Sequence, residues 1–163
     1  METVDCLLIG SGEYTTGYVD GSASKSDKGA GVVGLTMFDL RSAGKVGRVA
    51  ICGTNGKKMP GIRDHLKAMI ADKYEGIDVT CDTFPADGQV DRAAYLKALD
   101  TFPKKSVVTV FTPDDTHYEI ALAAVKRGMH VLLTKPPVKT LEHHLELMRE
   151  ARENGVLLHF RVR

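Results

Sequence analysis

Short apolar runs alternate with helix-patterned segments along the whole chain, and this alternation constrains the fold more than any other feature of the sequence. Residues 6–9, 48–52, 77–81, 107–111, 130–133 and 156–160 are apolar or alternating runs of four or five residues. Turn formers or helical patterns bound each of them, as expected of strands in a sheet covered on its faces. Between the runs, Ile62, Leu66, Met69 and Ile70 recur at i, i+4, i+7 and i+8. Ile120, Ala121, Ala124 and Val125 form a similar stripe that stops at Gly128, and Leu141, Leu145 and Met148 form a third that stops before Gly155. Residues 32–41 and 91–100 predict two further helices.

Strands alternating with helices imply crossover connections and a mostly parallel sheet. The prediction is an α/β, doubly wound, Rossmann-type domain of about six strands in the order 3-2-1-4-5-6. Right-handed crossovers bring every strand's C-terminal end to one edge. Function is therefore expected in the turns after Ile9, Cys52, Phe111 and Leu133. The 163 residues fit one domain, 1–163, and are enough to form a core without disulfides or metals. One segment breaks the rhythm: residues 20–31 are small, polar and Gly-rich, and predict a flexible insertion whose Lys25 and Lys28 read as solvated.

The formal net charge of +1 argues against a broad nucleic-acid footprint or an anionic membrane partner. No stretch approaches the roughly 20 apolar residues of a membrane span, and the start Met1-Glu2-Thr3-Val4-Asp5 lacks a signal-peptide pattern. Cys6, Cys52 and Cys81 are odd in number and widely spaced, so reduced thiols in a cytoplasmic protein are expected. A metal site is not predicted, since paired ligands are lacking. His143 and His144 are adjacent and diverge by about 100° on a helix, so they cannot share an ion as an i, i+4 pair would.

Four turns carry candidate chemistry. Gly10-Ser11-Gly12-Glu13-Tyr14-Thr15 is a G-x-G-x-x-T variant of the dinucleotide motif, in which glycines permit a tight turn and close approach of a pyrophosphate. Thr15 takes the place of the third glycine, and a glycine turn without a ligand remains the alternative. After the second strand, Gly53-Thr54-Asn55-Gly56-Lys57-Lys58 offers no carboxylate to repel a 2′-phosphate, while Thr54, Asn55 and Lys57 offer donors. This turn favours NADP over NAD, and a plain Asn-Gly turn with solvated lysines is the alternative. After the fourth strand, Thr112-Pro113-Asp114-Asp115-Thr116-His117 ends the ladder at proline and predicts a Thr116–Glu119 capping box. His117 is expected in the first helical turn, facing the strand-end crevice, while a satisfied structural histidine is the default reading of that residue taken alone. After the fifth strand, Thr134-Lys135-Pro136-Pro137 places a lysine at the end of a buried strand, where partial desolvation makes it a candidate proton donor or acceptor. A turn lysine pointing into solvent is the alternative, and one X-Pro bond there is a candidate for the cis form.

The ordered set of Thr112-Pro113-Asp114-Asp115-Thr116-His117, residues 121–131 and Thr134-Lys135-Pro136 resembles the Gfo/Idh/MocA oxidoreductases, with their T-P-N-x-x-H, A-x-x-A-G-x-H-V and E-K-P patterns. The match is dense over residues 107–160 and rests on the glycine turn alone before that. The resemblance implies a Rossmann domain, a nicotinamide cofactor, NAD(P), and hydride exchange with a sugar, polyol or related hydroxyl–carbonyl pair. It puts Lys135 at the catalytic position. Gly10, Gly12, Thr112, Pro113, Asp114, His117 and Pro136 then fall around the cofactor. Thr134, Asp114 and Thr15 depart from the family's glutamate, asparagine and glycine. The family's substrate domain and its D-x-x-x-H pair have no counterpart before Arg163, so a fragment or truncated form is expected. An inactive nucleotide-binding or partner-binding module is the alternative, and apolar surface left uncovered favours a homo-oligomer.

Overall fold

The structure is a computed structural model that describes residues 2–160. Met1, Arg161, Val162 and Arg163 lie outside the described residues.

A six-stranded parallel sheet forms the centre. Its strands are β1 (Val4–Ile9), β4 (Val46–Cys52), β5 (Asp82–Phe84), β6 (Val107–Val110), β7 (His130–Leu133) and β8 (Leu158–Phe160), in the order β5-β4-β1-β6-β7-β8. Renumbered within the sheet, this is the expected 3-2-1-4-5-6. A small hairpin of β2 (Tyr18–Val19) and β3 (Ser22–Ala23) stands apart. The helices are α1 (Glu13–Thr16), α2 (Val32–Ser42), α3 (Met59–Leu66), α4 (Ala94–Asp100), α5 (His117–Lys126) and α6 (Leu141–Glu153).

The register aligns the strand ends. Phe84 pairs with Cys52, Cys52 with Ile9, Ile9 with Val110, Val110 with Leu133 and Leu133 with Phe160. The turns that follow β1, β4, β6 and β7 therefore share one edge. Both sheet faces are buried, which is why the strands read as unbroken apolar runs. Leu7 and Ile9 of β1 join Ala50, Cys52, Val108 and Val110 against α4, α5 and Leu147 of α6. Cys6 and Leu8 join Val49 and Ile51 against Phe38 of α2 and Ile62 and Leu66 of α3. The three cysteines are unpaired. Burial pushes the Cys6 and Cys81 thiols up to about 11 and the Cys52 thiol up to about 12, so all three stay protonated and inert at neutral pH.

Three expectations about the elements are corrected. The third strand is Asp82–Phe84, not residues 77–81. Arg41 explains the shift: its guanidinium donates to Gly47 O (3.2 Å) and Thr80 O (2.8 Å), occupying carbonyls a strand pair would use. Ladder pairing with β4 begins only at Ala50–Asp82. The Leu141–Leu145–Met148 stripe faces solvent, and α6 instead buries Leu147 and Ala151. The Thr116 capping box does not form. Thr116 already has helical backbone angles (φ −99°, ψ −8°), and its hydroxyl donates back to Pro113 O (2.7 Å). The cap that does form is Thr140 on α6, where Oγ1 accepts from the His143 amide (3.2 Å).

The 20–31 insertion is pinned rather than loose. The chain leaves α1 at Gly17 and re-enters α2 at Gly31, both with φ +72°. A Cβ on Gly31 would meet Thr15 O at 2.4 Å, and a Cβ on Gly17 would meet Gly29 O at 2.3 Å. Only glycine closes this stem. Tyr18 packs 5.5 Å from the His65 ring, and His65 Nε2 lies 2.8 Å from Gly29 O. Glu13 accepts from Ser26 Oγ (2.7 Å) and from Ser24 Oγ.

Candidate functional site

The glycine turn after β1 is held from three sides. Gly10 has φ +105°, and a Cβ there would lie 2.0 Å from Phe111 O, so the turns after β1 and β6 touch through a residue that must be glycine. The Gly10 amide donates to Cys52 O (2.8 Å). A Cβ on Gly53 would meet Ser11 Oγ at 2.4 Å, which brings in the turn after β4. Thr16, which the sequence reading missed, shares its hydroxyl proton between Ser11 O (3.0 Å) and Gly12 O (3.1 Å) and accepts from the Tyr18 amide (3.1 Å). Gly12 differs from Gly10: a Cβ there meets nothing within 4 Å. Among the described residues, the Ser11 and Gly12 amides find no hydrogen-bond partner. Two free donors beside open space are what a phosphate oxygen requires.

These amides border a crevice of about 600 Å³ at the strand-end edge, a size typical of small-molecule sites. Of the predicted residues, Gly10, Gly12, Thr54, Thr112 and Pro113 line it. Ser11, Gly53, Arg92, Tyr95, Thr116 and Glu119 also line it and were missed. Arg92 comes from the segment between β5 and α4 and Tyr95 from the first turn of α4, and no motif marks them in sequence. Burial raises the Tyr95 hydroxyl above its ordinary pKa, so it stays protonated and able to donate.

Glu13 lies on the other side of the glycine turn, in a cavity of about 710 Å³ shared with Ser11, Gly12, the hairpin, Lys25 and Lys58. The Ser24 and Ser26 hydroxyls hold its carboxyl below its ordinary pKa. Tyr14 is exposed on α1 and stacks on Phe111 with centroids 6.1 Å apart. Thr15 is buried, with its hydroxyl unpartnered, and packs its carbonyl against Gly31 and Gly34. It serves the close helix packing for which the motif usually spends a third glycine. In the turn after β4, Asn55 Oδ1 accepts from the Lys57 amide (3.1 Å) and caps the 3-10 turn Gly56–Lys58. Lys57 is exposed and lines neither cavity; Lys58 is the lysine that reaches one.

His117 does not face the crevice; it takes the alternative role of a satisfied structural histidine. It is fully buried, not open to the crevice. Nδ1 lies 2.7 Å from Pro136 O and Nε2 lies 2.8 Å from Thr112 O, so the ring bolts the turn after β6 to the turn after β7. Asp114 sits exposed in the 3-10 turn Asp114–Thr116. The Lys135–Pro136 bond is cis. Lys135 itself is exposed, so the desolvation expected of a strand-end lysine is not present in this chain. It does not line the 600 Å³ crevice, although its turn shares the same sheet edge. Among the described residues no cluster of three or more metal-ligating side chains occurs, and no helix is long and apolar enough to cross a membrane.

A family profile described as "Oxidoreductase family, NAD-binding Rossmann fold" matches residues 4–162. The scyllo-inositol 2-dehydrogenase (NADP(+)) of Bacillus subtilis (strain 168) is 40% identical over 63 residues, 39% of this chain and 18% of the relative. The 1,5-anhydro-D-fructose reductase of Ensifer adhaerens is 45% identical over 56 residues, 34% of this chain and 17% of the relative. Among solved structures, biliverdin reductase from Synechocystis sp. PCC 6803, in complex with biliverdin and NADP+, superposes with a TM-score of 0.62 at 19% identity over 97% of this chain. GenD2 from gentamicin A biosynthesis, in complex with NAD, gives 0.61 at 20% identity over 98%. The chain spans 37% and 34% of these two structures' lengths, and their likeness carries the fold alone.

Proposed function

The chain belongs to the Gfo/Idh/MocA oxidoreductase family, and from that premise we propose that it is the nucleotide-binding half of an NAD(P)-dependent dehydrogenase or reductase acting on a sugar, polyol or related alcohol–carbonyl pair. The observation that carries this reading is the pair of unpartnered amides at Ser11 and Gly12, opening on a crevice bounded by the turns after β1, β4 and β6. A pyrophosphate fits there because Gly12 presents no side chain and Thr16 fixes the turn. Thr54, Arg92 and Tyr95 line the same crevice and are assigned to the adenosine. When bound, the nicotinamide supplies or accepts the hydride. Lys135 is assigned to hold or move the proton at the substrate oxygen, and in the whole protein the substrate half would supply the desolvation this chain lacks. Asp114 is assigned to the nicotinamide ribose. His117 acts through the two turns it joins and is a positioning residue.

NADP is the favoured dinucleotide. Lys58 and Lys57 stand after β4 without a carboxylate in the same turn, and the Bacillus subtilis relative is an NADP(+) enzyme by name. Glu13 opposes this preference from across the second cavity, which limits it to a modest ratio. Sugar or polyol substrates are inferred from the relatives' names, and the three free thiols fit a cytoplasmic setting. The family match gives no support to an inactive module. Titration with NADPH and NADH, followed by nicotinamide fluorescence, tests the cofactor reading. Saturable binding of both, tighter for NADPH, is expected. Failure of both to bind would overturn the site, and tighter NADH binding would overturn the preference alone.

A further inference from the structure

Helix α6 shows solvent an apolar stripe that neither the core nor the dinucleotide crevice uses. Leu141, Leu145 and Met148 are 71%, 56% and 45% exposed, while Leu147 and Ala151 hold the opposite face to the core. At 100° per residue the three exposed side chains fall within about 60° of arc. Together with Glu142, Glu146 and Arg149, Leu141 and Leu145 border a surface groove. Three adjacent large apolar side chains on one helix differ from singly scattered exposed residues and mark an interface.

We infer that this face pairs with the same face of a second copy, α6 against α6, antiparallel about a twofold axis. The charges identify the occupant. Glu142 and Arg149 flank the stripe on the same side and lie at equal distances from a point midway between Leu145 and Glu146. A twofold axis through that point keeps each flank on its own side and reverses the helix direction. Glu142 of each copy then meets Arg149 of the other, twice per dimer. The same operation sets Leu145 beside Leu145 and Leu141 beside Met148. An isologous interface demands this kind of self-complementarity. Both charges are available for it. Among the described residues Glu142 has no ion pair, and Arg149 reaches Glu150 and Glu153 only at 3.4 and 4.0 Å. Glu146 is turned away to accept from the Tyr118 hydroxyl (2.5 Å). One helix pair covers less than the roughly 800 Å² per partner of a standard interface, so the dimer is a weak one.

Sedimentation equilibrium of this chain between roughly 10 µM and 1 mM spans the affinities such an interface permits. A reversible monomer–dimer equilibrium is expected. Leu145→Arg, on an exposed position, should leave the circular dichroism spectrum unchanged and abolish dimerisation. Glu142→Arg and Arg149→Glu should each weaken it about tenfold, since like charges then face each other twice. The double variant should restore it. A monomer throughout the range would overturn the inference, as would a dimer that Leu145→Arg leaves intact. Charge reversals whose effects simply add would also overturn it.

Discussion

Gly10 and Gly12 sit two residues apart in one motif, and the structure gives them opposite jobs. Gly10→Ala adds a Cβ 2.0 Å from Phe111 O on a backbone with φ +105°. A residue held in that region costs about 1–3 kcal/mol, and forcing apart two packed turns costs about 1–3 kcal/mol more. The sum, about 2–6 kcal/mol, is a large share of the roughly 5–15 kcal/mol that holds a domain together. For a chain of this length it lowers Tm by about 5–20 °C. Gly12→Ala adds a Cβ that meets nothing within 4 Å, on ordinary backbone at φ −87°. Alanine is a poorer N-cap than glycine by about 0.5–1 kcal/mol, but it stiffens the unfolded chain by about 0.4–1 kcal/mol. The two offset, and Tm should stay within about 2 °C. The new methyl stands where the pyrophosphate would pass, and about 1–3 kcal/mol of crowding there weakens binding by about 5- to 150-fold. Scanning fluorimetry paired with NADPH titration reads both quantities. A Gly12→Ala chain that binds NADPH as tightly as the parent would refute the placement of the dinucleotide, and a Gly10→Ala chain with unchanged Tm would refute the steric reasoning.

Other outcomes follow from the same geometry. In the whole protein, Lys135→Met should lower the chemical rate about 10²- to 10⁴-fold with NADPH affinity unchanged, as loss of a proton-transfer group does; unchanged turnover would remove the assigned role. His117→Ala leaves a void and removes the ring whose nitrogens lie against the Pro136 and Thr112 carbonyls, and should cost about 2–4 kcal/mol in urea melts; His117→Gln should recover part of it. Glu13→Gln should speed amide exchange within residues 20–31 at neutral pH. The Glu13 carboxyl is depressed from its ordinary pKa of 4.5, so its grip on Ser24 and Ser26 is complete above that value and lost as pH falls through the lower folded one. The difference between parent and variant should therefore close as the solution is acidified. A gap that persists well below pH 4.5 would contradict the assignment.

Where local pattern and tertiary demand agree, the sequence was readable. Strands β1, β4, β6 and β7 are buried on both faces, and their continuous apolar runs announce it. Gly10 is legible because no other residue fits against Phe111 O. The misses each have a competing cause. Residues 77–81 alternate as a strand should, yet Arg41 of α2 takes the Thr80 and Gly47 carbonyls, and no local pattern shows that. The α6 stripe has helical period, but periodicity does not say which face turns inward; Leu147 and Ala151 decide it by meeting the sheet. The sequence puts His117 at the correct turn but does not choose between a crevice-facing and a structural ring, because its two partners, Thr112 O and Pro136 O, are backbone atoms from two loops. Lys57 and Lys58 are indistinguishable in sequence, and only the 3-10 turn that follows Asn55 points Lys58 toward a cavity. Arg92 and Tyr95 carry no motif and reach the crevice through topology alone. The pins of the 20–31 segment come from α1 and α3, so composition alone made it look free.

Backbone amide chemical-shift mapping during titration with NADPH reports most directly on whether a dinucleotide lies across this sheet edge. The account predicts the largest shifts at Ser11, Gly12, Thr54, Thr112 and Thr116, with smaller ones at Lys135. Shifts confined to other surfaces, or none at saturating NADPH, would contradict it.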